Sequence, residues 1–180
     1  MSTTSQLTLV TGGIRSGKSE LAERLASDLG ERVVYVATGG PTDSEMRARI
    51  EEHRRRRPSS WITVEVEARS IAEALQPHVP YAQAVLLDDL GGVVTRAVTC
   101  ATTTDEADSW LQREEQLLWS LLERVDVPAI AVTSEVGLSL VPANELGRRF
   151  IDVLGRANQR WAARAETVIL VVAGIPWKLK

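Results

Sequence analysis

The feature that most constrains this chain is an eight-residue loop at positions 12–19, Gly-Gly-Ile-Arg-Ser-Gly-Lys-Ser, which fits the pattern G-x-x-x-x-G-K-[ST]. A short apolar run from Leu7 to Thr11 precedes the loop, and a helical pattern from Ser19 to Leu29 follows it. In that setting the loop's backbone N–H groups and the helix N-terminus point at phosphate oxygens. Glycines allow the torsions and the close approach that a Cβ would block. The sequence therefore predicts a site for a nucleoside triphosphate.

Three side chains are expected to act on the nucleotide and its metal. Lys18 is expected to contact the β- and γ-phosphates, and the hydroxyl of Ser19 is expected to bind Mg²⁺. A carboxylate beside Mg²⁺ is expected at the end of another strand, and the run Val-Leu-Leu-Asp at 85–88 makes Asp88 our choice. The predicted nucleotide-binding loop consists of Gly12, Gly13, Ile14, Arg15, Ser16, Gly17, Lys18 and Ser19.

Short apolar runs alternate with helical patterns along the rest of the chain. The runs are nearly continuous in Val, Leu and Ile, as in strands that are covered on both faces of a parallel sheet. This alternation predicts an α/β fold with a mostly parallel sheet flanked by helices, and a single domain over 1–180. Asp105 and Asn144 are predicted helix N-caps. Besides Leu7 to Thr11, the predicted strands are Arg32 to Ala37, Ala84 to Asp88, Pro128 to Thr133 and Thr167 to Val172, and the other predicted helices are Ser44 to Arg56, Asp105 to Arg124 and Asn144 to Ala165.

Composition excludes several classes of protein. The net charge of −3 gives no sign of a nucleic-acid binder. No apolar run approaches the length of a membrane span, and no basic segment leads into an apolar stretch at the N-terminus. The single cysteine, Cys100, cannot form an intrachain disulfide. We therefore expect a cytoplasmic protein with no nucleic-acid partner.

A run of four arginines follows His53, near the end of a predicted helix. One interpretation is a solvated helix whose C-terminal cations complement the helix dipole. The other is a triphosphate clamp, because arginine binds phosphate through paired N–H groups. Positive charge nearby would also disfavour the imidazolium form, so that His53 could attack an α-phosphate and form a phosphoramidate. The residues alone leave both interpretations open.

Several segments together resemble the bifunctional adenosylcobinamide kinase / adenosylcobinamide-phosphate guanylyltransferase family of cobalamin biosynthesis. The similar segments cover nearly the whole chain, and the phosphate loop is the least specific of them. The arginine-histidine segment, E-V-G-x-x-x-V-P and G-R-x-N-Q-R are specific in combination. The similar segments read LVTGGIRSGKSELAE from position 9, YVAT at 35–38, EMRARIEEHRRRRPSSWITVE at 45–65, VLLDDL at 85–90, and the stretch at 133–180 that begins TSEVG.

The resemblance implies a RecA-like P-loop NTPase fold and two reactions. A nucleoside triphosphate, ATP or GTP, phosphorylates the hydroxyl of the aminopropanol arm of adenosylcobinamide. GTP then guanylylates a histidine, and adenosylcobinamide-phosphate takes up GMP to give adenosylcobinamide-GDP. Mg²⁺ is the expected metal, and the chain is expected to form a homo-oligomer.

The resemblance also assigns residues. The nucleotidylated histidine falls on His53, which joins Lys18 and Asp88 as a catalytic residue. Glu65 is expected to contact GTP, where a carboxylate can pair with the N1–H and amino group of guanine. The base of the kinase step is not identified by the sequence, and Glu135 and Asp89 are the two candidates. The further nucleotide contacts implied are Arg54, Arg55, Arg56, Arg57, Ala37, Thr38 and Gly39.

The chain departs from the family pattern in two places. Asp89, Leu90, Gly91 and Gly92 stand where the family reads D-C-L-T, and Ser134 replaces the Asn before E-V-G. We expect the two glycines to loosen the connection after the strand. We expect Ser134 to lose an amide that orients substrate.

Two other functions are compatible with a phosphate loop. One is a different P-loop kinase for a small hydroxyl substrate, in which His53 would be dispensable and α-labelled GTP would transfer no label. The other is a non-enzymatic, nucleotide-dependent regulatory protein whose tryptophans line a partner surface. Tryptophans are more often half-buried core residues. The five tryptophans are Trp61, Trp110, Trp119, Trp161 and Trp177.

Overall fold

Strands and helices alternate through the residues that the structure, a computed structural model, describes: 6–40, 44–66, 70–138 and 140–180. Side chains at 44–47 and 49 lie outside that description. The strands are β1 (Leu7–Gly12), β2 (Val33–Ala37), β3 (Ile62–Glu65), β4 (Ala84–Asp88), β5 (Ala129–Ser134), β6 (Thr167–Val172) and β7 (Ile175–Lys178). The helices are α1 (Lys18–Leu29), α2 (Ser44–Arg56), α3 (Ile71–Leu75), α4 (Leu90–Cys100), α5 (Thr104–Val125) and α6 (Glu145–Arg164), with a 3₁₀ turn at Val79–Tyr81.

The strands form one sheet in the order β3-β2-β4-β5-β1-β6-β7. All neighbouring pairs are parallel except β6 with β7, which is antiparallel. The predicted α/β fold with a mostly parallel sheet is confirmed. Because parallel strands end at the same edge, the register places Gly12 beside Ser134, and Ala37 beside both Asp88 and Glu65.

Each face of the sheet has its own apolar core. Leu21, Ala22 and Ala26 of α1 cover one face together with Trp61. Helices α3, α4, α5 and α6 cover the other face, where the larger cluster includes Trp161. This double coverage explains why the inner strands are apolar along their whole length.

The tryptophans are mostly structural. Trp61 and Trp161 are buried, and Trp110 and Trp119 are partly buried against the larger cluster. Trp177 on the edge strand β7 is 65% exposed. Four of the five tryptophans therefore pack within the fold.

Helix boundaries correct one predicted N-cap. Asn144 caps α6 by accepting a hydrogen bond from the backbone N–H of Gly147, as predicted. Asp105 does not cap α5: the cap is Thr103, whose hydroxyl accepts from the N–H of Glu106. Thr103 and Glu106 are spaced as in a capping box, a signal that lies two residues before Asp105.

The expectation that glycines loosen the chain after β4 is wrong. Gly91 and Gly92 lie in the first turn of α4, and the side chain of Asp89 caps that helix by accepting from the N–H of Gly92. A Cβ at Gly92 would stand 2.5 Å from the Thr38 hydroxyl oxygen and 2.8 Å from the Thr38 carbonyl oxygen. Gly92 therefore lets the helix pack directly against the chain that leaves β2.

Candidate active site

The loop at 12–19 has the conformation of an anion cradle. Gly17 has φ 92° and forms the N-cap of α1 without a side-chain hydrogen bond to the helix. Arg15 also adopts a positive φ, 58°. The first turn of α1 therefore keeps its N–H groups for an external acceptor, and phosphate is the anion such a terminus favours.

A second element holds the loop from outside. The backbone N–H of Gly174, in the turn between β6 and β7, donates to the carbonyl oxygen of Ser16 over 2.9 Å. A Cβ at Gly12 would stand 2.5 Å from the carbonyl oxygen of Val171 and 2.6 Å from Ser16 Oγ. The loop conformation thus depends on close backbone approach to β6 as well as on its own glycines.

Asp88 lies at the end of β4 and meets the loop helix directly. The Ser19 hydroxyl lies 3.3 Å from Asp88 Oδ1, and the Tyr35 hydroxyl donates to Asp88 Oδ2 over 2.9 Å. Burial raises the pKa of Asp88, and the neighbouring charge of Asp89 raises it further. Burial, with the charge of Asp88, also raises the pKa of Tyr35. The site therefore favours an added cation, which would offset the cost of a buried carboxylate.

Asp89 also faces the loop. One of its oxygens accepts the N–H of Gly92 over 3.1 Å, and its backbone carbonyl accepts the hydroxyl of Thr38 over 2.5 Å. Burial raises the pKa of Asp89, while Gly92 and the charge of Lys18 oppose that rise. Thr38, predicted as a nucleotide contact, thus ties the end of β2 to the end of β4.

His53 lies in the last turn of α2, and α1 supplies its main partner. Its Nδ1 lies 3.2 Å from Glu23 Oε1 and 3.0 Å from Arg56 Nη2. Arg56 in turn reaches Glu20 Oε1 over 2.7 Å and Glu23 Oε2 over 3.4 Å. Ligand-type atoms of Glu23, His53 and Asp88 all lie within 4.8 Å of one another. The imidazole therefore stands next to the carboxylate expected beside the metal.

The other arginines of the run have different environments. Arg57 Nε donates to the His53 carbonyl oxygen, and the Arg57 guanidinium lies 3.7 Å above the Tyr35 ring. Arg54 pairs with Glu65 over 2.5 Å. Arg55 is exposed. The run does not act as one clamp in this state, because two of its members already bind carboxylates.

The remaining predicted residues lie around this edge. Ala37 ends β2, and Gly39 follows with no atom within 4 Å of an added Cβ. Glu135 follows β5, and its carboxylate accepts the N–H of Gly137 over 2.5 Å. Ser134 is held through its backbone, because its carbonyl oxygen accepts from the Asn158 amide over 3.0 Å. Asn158 belongs to the G-R-x-N-Q-R segment, which therefore holds the end of β5 in place.

Two residues at the centre of the site were not predicted from the sequence. Glu23 lies one helical turn after Ser19, a spacing that puts both on one face of α1. Tyr35 lies two residues before Ala37, so alternation in β2 gives both the same side of the sheet. Those spacings were the available signals, but neither identifies a contact with His53 or Asp88.

Known proteins resemble this chain along nearly its whole length. A model of the family described as cobinamide kinase / cobinamide phosphate guanyltransferase matches residues 8–179. The bifunctional adenosylcobalamin biosynthesis protein CobP of Pseudomonas aeruginosa is 40% identical over 172 residues, covering 96% of each chain. The bifunctional adenosylcobalamin biosynthesis proteins CobU of Escherichia coli and Salmonella typhimurium are 39% and 38% identical over 180 residues, covering 96% of this chain and 98% of theirs. Within the described residues, no helix has both the length and the apolar character to cross a bilayer. The resemblance inferred from the motifs is confirmed: the chain belongs to the cobinamide kinase / cobinamide phosphate guanyltransferase family.

Proposed function

We propose that this chain phosphorylates the aminopropanol hydroxyl of adenosylcobinamide and then transfers GMP from GTP to adenosylcobinamide-phosphate, giving adenosylcobinamide-GDP. One observation carries the proposal beyond family membership. The imidazole of His53 lies within 4.8 Å of ligand-type atoms of Asp88 and Glu23, at the helix that follows the phosphate loop. A plain P-loop kinase needs no histidine there, whereas a nucleotidyl transfer through histidine does.

In the kinase step the chain mainly positions and neutralises charge. The N–H groups of the loop and the ammonium of Lys18 bind the phosphates of the nucleotide. The acceptor hydroxyl oxygen forms a bond to the γ-phosphorus, the bond from that phosphorus to the β,γ-bridging oxygen breaks, and the nucleoside diphosphate leaves. Asp89 is the candidate base that takes the hydroxyl proton, because it follows Asp88 at the same edge of the sheet and burial raises its pKa.

The oxygens of Ser19 and Asp88 fit a magnesium ion. They are hard donors 3.3 Å apart, and Mg²⁺ prefers oxygen ligands. Bound there, Mg²⁺ would neutralise charge on the β- and γ-phosphates. Tyr35 would orient Asp88 for this role, because its hydroxyl occupies Oδ2 and leaves Oδ1 for the metal side.

In the transferase step His53 is the nucleophile. Its free ring nitrogen forms a bond to the α-phosphorus of GTP, and the bond from that phosphorus to the α,β-bridging oxygen breaks, so that pyrophosphate leaves. The phosphate oxygen of adenosylcobinamide-phosphate then attacks the guanylyl group, and the electron pair of the P–N bond returns to His53. Arg54, Arg55, Arg56 and Arg57 supply cations for the triphosphate, and Glu65 pairs with guanine after exchanging Arg54 for the base.

Labelling of the protein by GTP tests this proposal. Purified protein is incubated with Mg²⁺ and GTP radiolabelled at the α-phosphate, then denatured. Acid-labile, base-stable label is expected on the wild type and none on His53→Ala, which should keep kinase activity. His78→Ala is the matched control, because His78 lies in the turn before Val79–Tyr81, away from this edge. Label that survives in His53→Ala would remove His53 as the nucleophile, and a wild type without label would leave a kinase alone.

We also propose that the chain works in the cytoplasm as a homo-oligomer. The lone Cys100 is compatible with a reducing compartment. Ile175 and Trp177 on the edge strand β7 are exposed, as expected of a surface that a second subunit covers. Light scattering of the purified protein measures the assembly directly.

A further inference from the structure

The Nδ1 atom of His53 has two neighbours of opposite polarity. Glu23 Oε1, a carboxylate oxygen, lies 3.2 Å away, and Arg56 Nη2, a guanidinium nitrogen, lies 3.0 Å away. A carboxylate can only accept a hydrogen bond and a guanidinium can only donate one. Nδ1 of a neutral imidazole carries either a proton or a lone pair. Only one of the two contacts can therefore be a hydrogen bond at any moment.

The choice between the two contacts decides what the other ring nitrogen can do. If Nδ1 carries the proton and donates to Glu23, Nε2 has a free lone pair and can attack phosphorus. If Nδ1 accepts from Arg56, the proton is on Nε2 and that nitrogen cannot attack. A carboxylate that fixes the productive tautomer of a histidine is the arrangement found in hydrolytic triads and at metal sites.

Of the two partners of His53 Nδ1, Glu23 is held more firmly in place than Arg56. It lies on α1 between Ala22 and Ala26, which are fully buried against the sheet, and its own side chain is 12% exposed. Arg56 lies at the end of α2, is 31% exposed, and already reaches carboxylates of Glu20 and Glu23. The helix that carries Glu23 is thus fixed by the core, whereas the guanidinium of Arg56 can leave for another anion.

We infer that Glu23 is the positioning residue that holds the Nδ1–H tautomer of His53, with Nε2 as the attacking atom, and that Arg56 opposes it until a triphosphate binds the guanidinium. This inference rests on the proposed role of His53. In the step, the Nε2 lone pair forms the P–N bond, pyrophosphate leaves with the electrons of the broken P–O bond, and the proton stays on Nδ1. The ring then carries a positive charge, which the Glu23 carboxylate stabilises until the proton is released.

The tautomer is measurable because the chain has two histidines. Nitrogen NMR of protein labelled at histidine gives two imidazoles, and His78→Gln identifies the one from His53. Spectra are taken at about pH 8, above the ordinary imidazole pKa of about 6.5. The wild type with bound GTP analogue is expected to show protonated Nδ1. Glu23→Gln should shift His53 toward protonated Nε2, and Arg56→Gln without nucleotide should shift it toward protonated Nδ1.

Kinetics provide the second readout. Glu23→Gln should lower the maximal rate of labelling by GTP about 10²-fold while changing KM for GTP less than about threefold. The lost carboxylate acts on the nucleophile, and Arg56, the proposed triphosphate ligand, keeps its shorter ion pair with Glu20 until GTP binds. Glu52→Gln is the matched control: it removes the same charge from the helix that carries His53, and Glu52 is exposed. Its tautomer and labelling rate should match those of the wild type.

Two results would overturn the inference. One is a His53 that carries its proton on Nε2 in the nucleotide-bound wild type. The other is a Glu23→Gln protein with unchanged tautomer and unchanged labelling. Failure of the proposed function looks different: a wild type that takes up no label contradicts the nucleophile, while the NMR spectra still report which partner holds Nδ1.

Discussion

The phosphate loop and the end of α2 meet at one site but are held there by different forces. The loop is fixed by backbone: Gly12 lies against β6, and the N–H of Gly174 binds the Ser16 carbonyl oxygen. The end of α2 is fixed mainly by charged side chains, through Glu23, Arg56 and their partners. One half of the site is therefore built by steric fit and the other by electrostatics.

Because of this difference, the two proposed activities should differ in their sensitivity to added atoms and to salt. Backbone contacts in a packed core are insensitive to salt and intolerant of added atoms. Partly exposed ion pairs contribute about 0.2–1 kcal/mol each and are screened by salt. Kinase chemistry, which depends on the loop, and guanylyl transfer, which also depends on α2, should therefore fail under different perturbations.

The largest expected effect, a loss of both activities together with some stability, is that of Gly12→Ala. Its new Cβ would lie 2.5 Å from the Val171 carbonyl oxygen, so the loop or β6 must move. Overpacking of this kind costs about 1–3 kcal/mol of stability, and both activities should be lost because the N–H groups no longer converge. Gly13→Ala is the control, since no atom lies within 4 Å of a Cβ there. Thermal unfolding and both assays measure the outcome. Equal behaviour of the two variants would show that close approach to β6 does not define the loop.

Asp89→Asn should separate the activities in the direction opposite to His53→Ala. Asparagine keeps the N-cap of α4, because its amide oxygen can still accept the N–H of Gly92. It cannot take a proton, so the kinase rate should fall by about 10²- to 10⁴-fold while labelling by GTP is retained. Steady-state kinase assays beside the labelling assay give the comparison. A kinase rate within about twofold of the wild type would be too small a change for a general base, and would redirect the search to Glu135.

Added salt should lower the rate of labelling by GTP, which depends on the end of α2, more than the kinase rate, which depends on the phosphate loop. Raising ionic strength from about 0.1 M to about 1 M shortens the screening length from about 10 Å to about 3 Å. Arg56 anchors the end of α2 through ion pairs, with Glu20 and Glu23 before the nucleotide binds and with the triphosphate afterwards. Weakening of these ion pairs by about 1 kcal/mol in total would lower the labelling rate about fivefold. Because nucleotide binding is itself salt-dependent, the measured quantity is the ratio of labelling rate to kinase rate at saturating nucleotide. A ratio that does not change with salt would mean that the end of α2 is held by contacts other than these ion pairs.

The five inner strands and most of the helices follow from the sequence because burial leaves a characteristic pattern of apolar residues. Helix α2 was predicted with its observed bounds, since Pro58 prevents its continuation. Helix α4 was not predicted, because Gly91, Gly92 and several β-branched residues lower helix propensity. Its buried Leu90 and Val94 supply the packing that overrides propensity. The two edge strands, β3 and β7, were missed because both are short and mostly exposed, and β7 also contains Pro176.

Some residues of the candidate site could likewise be predicted from the sequence, and others could not. Asp88 and the loop were predictable because each directly follows an apolar strand, and parallel strands end at one edge. The pairing of Glu23 with His53 could not be predicted, because this polar contact joins two helices and the two residues are 30 positions apart in sequence. Periodicity predicts which face of a helix is buried, but it says nothing about which surface charge meets which.

The smallest expected effect is a change in Tm from a substitution at the N-terminus of α5. This helix end is capped by side chains, unlike the N-terminus of α1. Thr103 and Glu106 satisfy the first turn of α5, whereas α1 has no side-chain cap. Hydrogen bonds from the backbone and the side chain of Thr102 hold the pKa of Glu106 below its ordinary value of 4.5. A lowered carboxyl pKa stabilises the fold fully above the unfolded value, and that stabilisation disappears as pH falls through the folded value.

Glu106→Gln should therefore lower Tm slightly at neutral pH, and its difference from the wild type should close on acidification below about pH 4. Glu52→Gln is the control, because Glu52 is an exposed glutamate on α2. Pyrophosphate should raise the Tm of the wild type and of Glu106→Gln equally, because the anion binds the uncapped terminus of α1 and not the capped terminus of α5. A smaller rise in Glu106→Gln would mean that the two termini are coupled. The contrast between a helix end that is left for phosphate and one that is closed by side chains would then be wrong.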